Sequence, residues 1–169
     1  MNLQEATKRI IFEYLKTGCE GYQTLLKYIS GDMKGDLDLY NTKVSFLPEG
    51  LKVGGDLNMF GTNVNTIPKE LFVKDSFELS NTPITSLPEN LKVGGDLYLC
   101  HTNINTLPED LEVGRSLYLT SSKITSLSKF IKVGSHVFLR NSPIGKKYFY
   151  STSYELKPLF PNVEGNIFT

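Results

Sequence analysis

Apolar positions along most of this chain recur at intervals of twenty residues. In Gly95–Gly114, GDLYLCHTNINTLPEDLEVG, they fall at the third, fifth, tenth, thirteenth, seventeenth and nineteenth places. Further copies begin at Gly35, Gly55, Asp75 and Arg115 with no insertion between them. A sixth begins at Ser135 as SHVFLRNSPIG and then loses the pattern. The third place is Leu37, Leu57, Phe77, Leu97, Leu117 and Val137; the tenth is Val44, Val64, Ile84, Ile104, Ile124 and Ile144. A fixed period of this length marks a solenoid, in which one unit cannot bury its own apolar face and stacked units share a core.

The spacing within a unit predicts its elements. The alternating Leu-x-Leu is a short strand. Pro48, Pro68, Pro88 and Pro108 follow the thirteenth place and lack an amide donor, which argues against a helix in the return limb. Paired glycines at the junctions, such as Gly54-Gly55 and Gly94-Gly95, predict a tight turn before the next strand. Ahead of the units, Leu3, Ala6, Ile10 and Tyr14 keep a helical spacing, Asn2 and Glu5 have the form of a capping box, and Gly18 is a terminator. A second short helix is expected over about Tyr22–Ile29. The chain therefore divides into an N-terminal helical cap (1–34), a solenoid (35–145) and an aromatic-rich C-terminal cap (146–169). In the last segment Tyr148, Phe149, Tyr150, Tyr154, Phe160 and Phe168 are expected to fold over the final unit, and Lys157-Pro158-Leu159-Phe160-Pro161 excludes a regular central strand.

Leu97-Tyr-Leu-Cys-His-Thr-Asn-Ile104 resembles the Leu-x-Leu-x-x-Asn-x-Leu core of leucine-rich-repeat proteins. The whole unit looks most like the short bacterial and bacteriophage repeats, which run Leu-Pro-x-x-Leu-x-Val-Gly-Gly-x-Leu. The resemblance covers roughly 35–145. It implies an α/β repeat solenoid, curved, with a short parallel β-sheet on the concave face used for binding, and it implies no particular reaction. One departure is that the family's buried Asn ladder is here Thr42, Thr62, Thr82, Thr102, Ser122 and Ser142. A hydroxyl there is expected to satisfy turn amides.

Side chains flanking the inward apolar pair point to the sheet's open face and form columns. One holds Asp38, Asn58, Glu78, Tyr98, Tyr118 and Phe138; the next holds Tyr40, Phe60, Ser80, Cys100, Thr120 and Arg140. The column before the pair is Asp36, Asp56, Ser76, Asp96, Ser116 and His136. At about 4.8 Å per strand, Tyr98, Tyr118 and Phe138 should stack as a ladder. Aromatics are enriched where interfaces form. The expected partner-binding residues are Asp38, Tyr40, Asn58, Phe60, Glu78, Tyr98, Tyr118, Phe138 and Arg140.

Composition narrows the chemistry. The 169 residues carry 18 bases and 18 acids. A net charge of zero argues against strong non-specific attraction to nucleic acid or anionic membrane. That zero hides an asymmetry: residues 35–114 hold twelve acids and five bases, net −7, whereas 115–169 hold eight bases and two acids, net +6. Arg115, Lys123, Lys129, Arg140, Lys146 and Lys147 give nucleic-acid binding only weak support. The early charges of MNLQEATKRI predict neither signal peptide nor membrane span. Cys19 and Cys100 are expected as unpaired thiols in a reducing cytoplasm. No Cys or His cluster has metal-ligand spacing, no cofactor is implied, and the neighbours Cys100 and His101 lack an orienting third group. The expectation is a non-enzymatic, cytoplasmic protein-binding module whose partner is a host protein, with weak self-association as a further option. Glycan or small-ligand binding on the aromatic ladder is the alternative.

Overall fold

The computed structural model describes residues 3–31 and 33–169. The expected cap at Asn2 lies outside the described residues. Two helices open the chain, α1 (Leu3–Thr17) and α2 (Glu20–Ser30). Gly18, at φ 64°, separates them, and its N–H donates to the Tyr14 carbonyl. The α2 helix lies against the first coil of a parallel β-solenoid: Tyr22 is buried, its hydroxyl bonds Ser45 at 3.1 Å, and its ring packs on Phe46 at 5.4 Å. From α1, the Arg9 guanidinium lies 3.9 Å from the centre of the Phe46 ring, over its face.

Each of the first five coils contributes one two-residue strand to each of two sheets, and two further strands extend the first sheet. The first sheet comprises β1 (Leu37–Asp38), β3 (Leu57–Asn58), β5 (Phe77–Glu78), β7 (Leu97–Tyr98), β9 (Leu117–Tyr118), β11 (Val137–Phe138) and β12 (Ile167–Phe168), in that spatial order. The second comprises β2 (Lys52–Val53), β4 (Phe72–Val73), β6 (Lys92–Val93), β8 (Glu112–Val113) and β10 (Lys132–Val133). All pairings are parallel and step by twenty residues as far as β11, as in Leu37 to Leu57 and Val53 to Val73. The return limb is thus not helical, as the prolines argue, and it carries a second sheet that the Leu-x-Leu signal does not announce. The core lies between the sheets: Leu39, Val44, Val53, Leu57, Met59, Val64 and their equivalents in the following coils are almost wholly buried.

Three details differ from the sequence expectation. At most junctions glycine is needed for close approach, not for an unusual φ. Among the junction glycines only Gly35 has positive φ, whereas a Cβ at Gly94 would overlap the Lys74 carbonyl and one at Gly114 the Gly94 carbonyl. Positive φ recurs instead in the turn after the first-sheet strand, at Asn41, Gly61, Asn81, His101, Ser121 and Asn141 (54–67°), and in three coils also ahead of the second-sheet strand, at Gly50, Glu70 and Asn90 (60–67°). Turn geometry of this kind has Gly or Asn as its natural third residue. The hydroxyl ladder then works as a donor. Thr42, Thr62, Thr82, Thr102, Ser122 and Ser142 each donate to the carbonyl three residues earlier, at 2.6–2.9 Å. The ladder closes each turn onto itself and does not primarily receive turn amides, although Ser122 also accepts from the Ile124 N–H at 3.5 Å and Ser142 from the Gly145 N–H at 3.0 Å.

The sixth copy does not dissolve. Its return limb is lengthened by ten residues, so Val163 bridges Val133 and Ile167 pairs with Val137, each at a spacing of thirty. The added length folds as α3 (Pro143–Lys147), α4 (Ser153–Leu156) and a 3-10 turn (Lys157–Leu159). Thr152 and Glu155 form a reciprocal cap on α4, and Lys157 Nζ holds the Val163 and Glu164 carbonyls. Leu156, Phe160, Val163 and Ile167 are buried against the last coil. Of the aromatics expected to cover it, only Phe160 is fully buried; Phe149, Tyr150 and Tyr154 face solvent.

Candidate functional site

The solvent side of the seven-stranded sheet collects the residues that the columns bring together. Leu37, Leu57 and their equivalents point inward, so the intervening residue of each strand points out. Tyr98, Tyr118 and Phe138 stack with centroid steps of 4.5 and 4.6 Å and ring planes within 10°. A fourth ring continues the stack. Phe168 of β12 lies 4.9 Å from Phe138 at an interplanar angle of 11°. Sequence reasoning placed Phe168 in a cap and missed it here. The signal was present: Val163-x-Gly-x-Ile-Phe168 repeats the spacing of Val133-x-x-x-Val-Phe138, offset by thirty rather than twenty. His136 stands edge-on to both Phe138 and Phe168, at 6.2 and 5.5 Å.

The ring steps equal the strand spacing, so each ring covers its neighbour's face. What reaches solvent is the row of ring edges, with the hydroxyls of Tyr98 and Tyr118. The outer face of Phe168, which is 43% exposed, ends the stack. A second, shorter stack, Tyr40 on Phe60 at 5.3 Å, sits at the other end of the sheet, with Tyr40 well exposed.

The polar members of the same columns are partly committed to the backbone. Asp38 accepts from the Tyr40 N–H at 2.9 Å, Asn58 from the Phe60 N–H at 3.2 Å, and Glu78 from the Ser80 N–H at 2.6 Å. Each holds its own turn with one oxygen. The column before the inward pair forms a ladder between coils. Asp36 accepts from the Asp56 N–H, Asp56 from Ser76, Ser76 from Asp96, Asp96 from Ser116, and Ser116 from His136. His136 Nδ1 accepts from the Asn166 N–H at 2.8 Å, which extends this ladder into the tail and leaves Nε2 as the protonated nitrogen. The stacked carboxylates of Asp36 and Asp56 therefore have a structural occupation. Arg115 reaches back to Ser76 Oγ at 3.3 Å and to Asp96 at 3.9 Å, and Arg140 is exposed.

Two groups on this face have displaced acidities. Partial burial, helped by Asp96, Tyr118 and Glu78, pushes the Tyr98 phenol above its usual range. Burial likewise raises the Cys100 thiol, against hydrogen bonding to Ser80 and Thr120 that lowers it. A raised thiol holds little thiolate at neutral pH and is a poor nucleophile. His101 is exposed, in the turn after β7, in the left-handed conformation. On the second sheet Glu112 sits between Lys92 (2.9 Å) and Lys132 (2.8 Å), whose hydrogen bonds bring its carboxyl down to about 2. Among the described residues no three His, Cys, Asp or Glu side chains gather as a metal site, and no helix is long and apolar enough to cross a membrane. Cys19 and Cys100 are both free thiols.

The chain matches no protein-family model and no curated protein.

Proposed function

We propose that this chain is a non-catalytic binding module of the short leucine-rich-repeat type, acting by occupying the surface of a partner protein through the open face of its seven-stranded sheet. The observation that carries the reading is the row Tyr98–Tyr118–Phe138–Phe168, four stacked rings that remain partly exposed on an otherwise regular sheet. Aromatic side chains with a polar tip and a nearby Arg140 are the side-chain types that dominate protein interfaces. The resemblance to bacterial and bacteriophage repeats suggests the setting, a factor in the bacterial cytoplasm that inhibits or redirects a host protein.

Ring orientation disfavours the glycan reading. A sugar stacks its C–H face on an aromatic face, and here the inner faces are covered by one another, leaving only the outer faces of the two end rings, Tyr98 and Phe168, without a ring neighbour. The raised Cys100 thiol and the backbone-bound carboxylates support the non-enzymatic part of the proposal.

The test is affinity capture from bacterial lysate with wild type beside Tyr98→Ala/Tyr118→Ala, the variant's fold being checked by circular dichroism. A protein held by the wild type and released by the variant supports the reading. A protein held equally by both removes the site from this face. Capture of nothing, together with retention on a glycan array that the double variant loses, would replace a protein partner with a sugar.

A further inference from the structure

Charge on the open face of the seven-stranded sheet is ordered along the stacking direction. Outward side chains rooted on β1, β3 and β5 and just ahead of them include Asp36, Asp38, Asp56 and Glu78 and no Lys or Arg. Over β9, β11 and β12 they include Arg140 and no acid; Arg115, at the entry to β9, turns its guanidinium back toward Ser76 and Asp96 ahead of β5 and β7. The exposed rings are divided in the same way, with Tyr40 and Phe60 at the acidic end and the four-ring stack at the other.

A face of this kind matches itself under one of the two possible in-plane two-folds. An axis along the stacking direction lays each strand over the same strand of a second copy and opposes like charges. An axis along the strand direction, through the central strand β7, reverses the order of strands and keeps the position along each strand. It sets β1 over β12, β3 over β11 and β5 over β9.

We propose that this face pairs with the same face of a second copy about a two-fold through β7, so that the acidic end of each copy covers the basic, aromatic end of the other. Arg140 of one copy then lies over Phe60 of the other, and the other copy's Asp38 is one strand spacing sideways and two residues along the strand from it, about 8 Å in the plane of the sheet, a gap that an extended arginine side chain can cross. Tyr40, 56% exposed, comes beside the open face of Phe168. Asp96 falls next to the axis, where each copy already holds it against Arg115 at 3.9 Å, so two paired carboxylates meet rather than two bare ones.

The size of the face sets the strength. Six strand steps give a strip about 29 Å long and only three outward residues wide. Its area is below the roughly 800 Å² per partner of a standard stable interface. The pairing is therefore weak and exchanging, with a dissociation constant of about 10 µM to 1 mM. If the proposed function is right, the same surface serves both contacts, and the dimer is a resting form that a tighter partner displaces. The pairing itself does not depend on that reading.

Sedimentation of the purified full chain tests it, from about 5 µM to about 1 mM and at about 0.05 M and 0.5 M salt. The wild type should rise toward twice its 19.0 kDa mass with concentration, less so at high salt. Arg140→Asp and Asp38→Arg should each weaken association about tenfold or more, and the double variant should return it to within about threefold of wild type. Because Asp38 also holds the Tyr40 N–H, Asp38→Asn is the control for folding: it keeps an acceptor, removes the charge, and should weaken association with an unchanged thermal midpoint. A monomer throughout the range, insensitivity to both single swaps, or a double variant no better than the singles overturns the pairing. None of these outcomes bears on capture of a foreign protein, so the two readings fail separately.

Discussion

The tail strand β12 makes a demanding prediction, because the sequence leads one to expect only a cap over the last residues. Ile167 is 3% exposed and faces the interior beside Val137 and Val163. Ile167→Ala deletes three buried carbons, worth about 2.4 kcal/mol at roughly 0.8 kcal/mol each. A cavity term would raise that toward the 2–5 kcal/mol range of such substitutions. Ile167 belongs to the terminal coil, where the site can collapse, so the low end, about 2–3 kcal/mol, is expected. In thermal unfolding this is a fall of about 5–10 °C for a chain of this size. Hydrogen exchange gives the local readout. The Val137 and Leu139 N–H groups donate to Asn166 and Phe168 carbonyls at 2.9 and 2.7 Å. Their exchange should accelerate about fifty-fold if the last coil opens locally, while Leu57 and Leu97 amides in the middle of the stack are unaffected. A cost below about 0.5 kcal/mol with unchanged exchange at Val137 and Leu139 would refute the seventh strand and with it the fourth ring of the ladder.

Three further outcomes follow from single contacts. Thr62→Val should cost about 1 kcal/mol in urea unfolding, because the Oγ1 bond to the Met59 carbonyl (2.9 Å) is lost, whereas Thr62→Ser should stay within about 0.5 kcal/mol. Gly94→Ala should destabilise by about 1–3 kcal/mol, since the new methyl meets the Lys74 carbonyl, which is backbone and cannot rotate away. Glu112 has a folded pKa near 2 against an ordinary 4.5, so the stability it adds is present above about pH 4.5 and is lost as pH falls toward 2. Glu112→Gln should flatten that part of the acid-unfolding profile, and an unchanged profile would mean that Lys92 and Lys132 leave Glu112 unperturbed in solution.

Most of the architecture was legible because stacking repeats each constraint. An inward Leu at position 37 is weak information, but an apolar residue again at 57, 77, 97, 117 and 137 fixes a register. The second sheet was harder to see. Lys52-Val53 and its equivalents are two residues long, and only Val is buried, so no alternation is left to detect. The seventh coil was hidden by its longer return limb: with a period of thirty, Ile167 falls out of a twenty-residue register although its local spelling persists. The role of the hydroxyl ladder was legible as polar and buried, but not as donor. A hydroxyl can be either, and the choice is made by the carbonyl of Leu79 or Leu99 lying three residues behind it.

Residue type alone also overstated how much of the open face is free. Asp38, Asn58 and Glu78 look like a polar binding column, yet each spends one oxygen on the amide two residues ahead. Where the column turns aromatic that service is lost, and at Cys100 the amide is met instead by Ser80 Oγ from the preceding coil. The change from carboxylate to ring along one column therefore replaces local turn bonds with stacking between coils. It also changes what the surface offers. The acidic end presents the second oxygens of Asp38 and Glu78, which are acceptors. The aromatic end presents ring edges, whose hydrogens carry partial positive charge, together with two phenol hydroxyls and Arg140. Acceptors at one end and electropositive edges at the other favour a partner surface of the opposite order, and a uniform ligand such as a homopolymeric glycan has no such order to match.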